Sequence, residues 1–150
     1  MSKIITNTAT ITVNPASYTG NTFTSNYYQN LDNALNNTSN TTYARFTMRN
    51  TSYEIYYVFD TIDIPNDATI NSVSCEVKCY VQNASYYPAL QLYANTTAKG
   101  SASNVTSTST SNVVTLSAGT WTTSEITGVV RLRLNVANAT TNQTRYAYLY

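Results

Sequence analysis

Short runs in which apolar and polar residues alternate with a period of two recur along this chain, and each predicts a strand with one buried and one solvated face. Ile4 to Val13 is the first, ending on Ala9, Ile11 and Val13 before Asn14-Pro15 stops it. Tyr43 to Met48 points Ala44, Phe46 and Met48 inward, and Tyr53 to Phe59 does the same with Ile55, Tyr57 and Phe59. Asn50-Thr51-Ser52 between these two is short enough for a hairpin connection. A long strand follows from Thr69 to Val81, then a short one from Ala89 to Tyr93 and another from Val113 to Leu116. Val129 to Val136 buries Val130, Leu132, Leu134 and Val136 and turns Arg131, Arg133 and Asn135 outward; Arg145 to Tyr150 sets Ala147 and Leu149 against Tyr146, Tyr148 and Tyr150.

Between the strands lie polar stretches. Ala16 to Thr42 is an Asn/Thr/Ser/Tyr-rich loop in which only Leu31, Ala34 and Leu35 have the spacing of a helical turn. Lys99 to Ser111 is a polar connection with Val105 as its one large apolar residue. Thr122 and Glu125, just after Trp121, have the spacing of a helix capping box. No helical pattern is long enough for a βαβ crossover. About eight strands at such intervals predict an all-β fold, a two-sheet antiparallel jelly-roll sandwich spanning residues 1–150 as one domain.

Composition sharpens this. Thr, Asn, Ser and Tyr dominate, charged residues are 10% of the chain and the formal net charge is +1, so a nucleic-acid partner is not expected. A surface wetted by amides and hydroxyls is typical of extracellular or virion proteins. Neither a signal peptide nor a membrane-spanning run is expected. Cys75 and Cys79 fall on one strand face roughly 13 Å apart, too far for a disulfide, and so read as free buried thiols.

The chain contains no histidine, which removes the Ser-His-Asp and Cys-His arrangements. Asp60, Asp63 and Asp67 are the densest carboxylate group, but Pro65-Asn66-Asp67 is a turn by composition. No enzymatic activity, no cofactor and no metal site is expected. Tyrosines are the better candidates for a site: Tyr27-Tyr28, Tyr53, Tyr56, Tyr86-Tyr87 and the outward row Tyr146, Tyr148 and Tyr150. Such rings serve protein interfaces, sugar stacking and cross-strand packing. Arg45, Arg131 and Arg133 share the outward class with Tyr43 and Tyr56, which predicts an Arg/Tyr patch on one sheet.

Three stretches carry a resemblance. NLDNALNNTSNTTYARFT resembles the "A-x-D-G-x-x-x-T-x-W" segment of galactose-binding-like, or discoidin-type, domains. YYVFDTIDIPNDATINSVSCEVKCYV resembles the strand pair that follows it there, and TRYAYLY resembles the closing strand. The whole chain resembles small jelly-roll virion proteins of phages and prophages of Gram-positive bacteria, with a "YxxFDTxxIPxGATINSVxxxV" core. That resemblance implies a non-enzymatic virion component, made in the bacterial cytoplasm and displayed on the particle surface as capsid decoration or a short appendage. Its partners would be other virion proteins or copies of itself. The galactose-binding-like resemblance implies the alternative, a carbohydrate-binding module for a host-surface glycan, with Asp32, Asn36 and Thr42 as the positions to watch. Asn36-Asn37 stands where that family has Asp-Gly, and Tyr43 where it has tryptophan, so calcium is not expected in the loop. A chain running from Met1 to a closing strand at Tyr150 is expected to be a self-contained building block.

Overall fold

A computed structural model describes residues 15–20, 28–35, 42–49, 52–137 and 144–150. Among the described residues there are ten strands: β1 (Pro15–Gly20), β2 (Tyr28–Gln29), β3 (Ala44–Met48), β4 (Tyr53–Phe59), β5 (Ser74–Val81), β6 (Ala89–Ala94), β7 (Thr97–Asn104), β8 (Val113–Ser117), β9 (Val130–Val136) and β10 (Arg145–Leu149). They form two five-stranded sheets. Sheet I has the order β1-β4-β9-β6-β7 and sheet II the order β2-β3-β10-β5-β8, with every pairing antiparallel.

This is a jelly roll. With the outermost β1 and β2 set aside and β3–β10 counted from one to eight, the orders become 2-7-4-5 and 1-8-3-6, the pattern of two interlocked Greek keys. Among these eight, only β6 and β7 are consecutive strands joined as a hairpin; every other connection passes from one sheet to the other. β3 and β4, expected as a hairpin pair, therefore lie in different sheets; packing decides this, because Phe46 and Met48 of β3 and Ile55 and Tyr57 of β4 all enter the same core.

That core lies between the sheets. Leu90 and Leu92 from β6, Leu132 and Leu134 from β9, Val81 from β5 and Ala147 and Leu149 from β10 complete it. Phe59, expected inward, is only half-buried at the end of β4. Seven of the predicted strands are found, while the run from Ile4 to Val13 lies outside the described residues.

Three strands were not expected. β2 and all of β1 but Pro15, read as a strand stop, fall within 16–42, read as loop, and the two serve as edges beside β3 and β4. β7 falls largely within the presumed connection at 99–111. Its sequence TAKGSASN is exposed along most of its length, so no apolar alternation marks it. It exists because β6 offers it a ladder across the turn at Asn95-Thr96, where Asn95 takes a left-handed φ of 53°. The 3₁₀ turn over Leu31–Ala34 and the capping box at Thr122 and Glu125, opening α1 (Thr123–Ile126), form as the sequence predicts.

Candidate functional site

Outward-facing residues divide into two groups, one on each sheet. The expected single Arg/Tyr patch is thus corrected: parity places a side chain outside the core but does not say on which sheet. Arg45, Tyr43, Tyr146 and Tyr148 belong to sheet II, and Tyr56, Arg131 and Arg133 to sheet I.

On sheet II the register puts Gln29 beside Arg45, Arg45 beside Tyr148 and Tyr148 beside Tyr80. Tyr80 and Tyr148 stack with ring centroids 4.7 Å apart and planes 17° from parallel. Tyr43 meets the same Tyr148 edge-on at 4.8 Å, and Tyr150 lies 5.8 Å from Tyr43 and 6.0 Å from Tyr80. Two cations close over the ladder: the Arg45 guanidinium is 4.5 Å from the Tyr146 ring and the Lys78 ammonium 4.8 Å from the Tyr150 ring. Arg45 Nη2 also donates to Gln29 Oε1, and Gln82 Nε2 donates to the Tyr148 hydroxyl at 3.2 Å.

As a result Tyr148 is only 8% exposed although it points away from the core. Outward parity alone had placed it in solvent. Burial, followed by the other phenols around them, pushes the Tyr80 and Tyr148 hydroxyls above the ordinary tyrosine range. Val113, 51% exposed, sits opposite Lys78 and extends the face to the edge strand β8.

Sheet I carries a smaller, closed network. Arg133 pairs with Glu54 through Nη2 and donates through Nη1 to the Tyr93 hydroxyl at 3.0 Å. Tyr56 donates to the other Glu54 oxygen at 2.9 Å, and its ring meets Tyr93 edge-on at 5.7 Å. The Arg131 guanidinium lies 5.9 Å from the Tyr56 ring. Burial and then the Glu54 hydrogen bond raise the Tyr56 hydroxyl's pKa.

The remaining expected positions are scattered. Asp32 is exposed in the 3₁₀ turn, Thr42 is exposed just before β3, and Asn36 lies outside the described residues. Tyr53, counted among the surface rings, is buried: it shares the inward parity of Ile55 and its hydroxyl donates to the Thr47 carbonyl at 3.0 Å. Among the described residues no three His, Cys, Asp or Glu side chains gather in a way that could hold a metal ion. Lys78, Tyr80, Glu54 and Tyr93 were missed as site residues. A signal existed for the first two, since alternation through Cys75 and Cys79 turns both outward.

Cys79 is buried and Cys75 half-buried, and both are free. Burial pushes their thiols up, to about 11 for Cys75 and about 12 for Cys79. No helix among the described residues is long and apolar enough to cross a membrane. Compared with family models, with curated proteins and with solved structures, the chain finds no match in any of the three.

Proposed function

We propose that this chain is a non-enzymatic structural component of a phage particle, displayed on its surface as capsid decoration or a short appendage and held by contacts through the outer face of sheet II. The observation that carries this reading is the tyrosine ladder Tyr43–Tyr148–Tyr80, flanked by Tyr146 and Tyr150 and roofed by Arg45 and Lys78. Tyr and Arg are the residue types that dominate interface energetics. Rings already fixed by their neighbours lose little rotamer freedom on binding, so a partner gains contact area at low entropic cost.

The same geometry weighs against the carbohydrate-binding alternative on this face. A pyranose stacks on an open ring face, and Tyr80 and Tyr148 spend theirs on each other. What the ladder offers outward is ring edge and hydroxyl, with cations alongside, which suits carbonyl and carboxylate groups of a protein.

Co-sedimentation with phage particles from the strain carrying the gene tests the proposal. Saturable pelleting, weakened by the pair Tyr146→Ala and Tyr150→Ala, is the expected result. Failure to pellet, together with retention on a glycan array, would replace it with the carbohydrate-binding reading.

A further inference from the structure

The charges of this chain are few and segregated. From Asp60 to Cys75, the connection between β4 and β5 and the start of β5, there are three Asp and no Lys or Arg. Asp60, Asp63 and Asp67 are all exposed, and none forms an ion pair among the described residues. The connection is nevertheless anchored. Ile62, Ile64 and Ile70 pack against the core, a turn closes from Ala68 N–H to the Pro65 carbonyl at 3.0 Å, and the Thr123 hydroxyl donates to the Ala68 carbonyl at 2.9 Å. It is an ordered acidic ridge.

Its complement lies on the same chain. The outer face of sheet II carries Arg45 and Lys78 among the tyrosines, with Arg49 exposed just past β3, against one side-chain carboxylate among the described residues, Glu76. We propose that the acidic ridge of one copy docks on the tyrosine face of another, so that the chain assembles with itself head to tail. The inference deepens the structural reading given above and rests on it for the face's role as an interface.

Arg45 and Lys78 stand two strands and one pleat repeat apart on the face, roughly 12 Å, so each can take a separate carboxylate, with phenol hydroxyls donating to the remaining oxygens. Ridge and face are different surfaces, so the contact is heterologous and generates a ring where its rotation closes and a filament where it does not.

Sedimentation velocity of the full chain at low salt (about 20 mM) and high salt (about 500 mM) is the test, because exposed ion pairs are screened over that range. A multimer at low salt that dissociates at high salt is expected. Asp60→Lys with Asp63→Lys changes only exposed side chains and should weaken association about tenfold or more. Arg45→Glu with Lys78→Glu should do the same, and mixing the two variants should restore assembly. A monomer at both salts, or a multimer indifferent to salt and to the Asp substitutions, overturns the inference. Running particle co-sedimentation beside it separates the two proposals. A monomer that pellets with particles defeats only self-assembly; a salt-sensitive multimer that does not pellet supports self-assembly and defeats only the particle role.

Discussion

Replacing Tyr148 with alanine removes the ring on which the sheet II face is built. A tyrosine buries about 150–250 Å² when fully covered, and Tyr148 is only 8% exposed. At about 25 cal/mol per Å², the lost burial amounts to roughly 4–6 kcal/mol, an overestimate because the unfolded chain is itself partly compact. Three ring contacts, with Tyr80, Tyr43 and Tyr146, disappear as well, each about 0.5–1.5 kcal/mol. Relaxation of Tyr43 and Tyr80 on an open face recovers part of this, so a loss of roughly 3 kcal/mol is expected, a fall in Tm of roughly 6–12 °C for a domain this size. Urea unfolding followed by the fluorescence of the single, buried Trp121 measures it directly. Tyr146→Ala is the control: its ring is half-buried and meets Arg45 and, among the rings of the described residues, Tyr148 alone, at 6.4 Å, so the loss should stay near 1 kcal/mol. Equal losses in both variants, or less than about 1 kcal/mol for Tyr148→Ala, would show that the ladder is an ordinary surface and refute the reasoning.

Gly100 sits at φ +68° in the β7 bulge, where an added Cβ would lie 2.8 Å from the Ser117 carbonyl oxygen and 3.0 Å from Ala118 Cα. Gly100→Ala should cost about 2 kcal/mol or more in thermal unfolding, and a neutral result would show that β7 does not approach β8 as described. Neither Cys75 nor Cys79 should react with a thiol reagent near pH 8 in the native state, while both should in denaturant; rapid native labelling would contradict their burial. The hydroxyls of Tyr53, Tyr57, Tyr80 and Tyr148 have folded pKa values raised above the ordinary 10.0. Their contribution is therefore complete below about pH 10 and is lost as pH rises toward the folded values, so Tm should fall between about pH 10 and 11.5; a flat profile there contradicts the burial of these phenols.

Much of the sandwich was legible because its central strands are buried on one face. β3, β4, β9 and β10 alternate cleanly, and their inward sets, Phe59 apart, are found in the core. β7 was illegible for the opposite reason. An edge strand paired on one side, with small polar residues on both faces, has no hydrophobic period; the hairpin turn at Asn95 was the one local clue. The sheet II face was half legible. Parity turned Tyr43, Arg45, Tyr146 and Tyr148 outward together, but that Tyr148 is covered depends on Tyr80 arriving from β5, a pairing made by strands more than sixty residues apart. The same limit explains the Arg/Tyr patch: Arg131 and Arg133 have the outward parity of Arg45, and only the jelly-roll order assigns β9 and β3 to different sheets.

Hydroxyl-radical footprinting of the free and assembled protein tests the central claim most directly, since it reads each tyrosine separately. Upon assembly, Tyr43, Tyr146 and Tyr150 on sheet II should become several-fold less reactive, while Tyr87, 41% exposed in the loop before β6, should react as before. Protection of Tyr87 with an unchanged sheet II face would contradict the account.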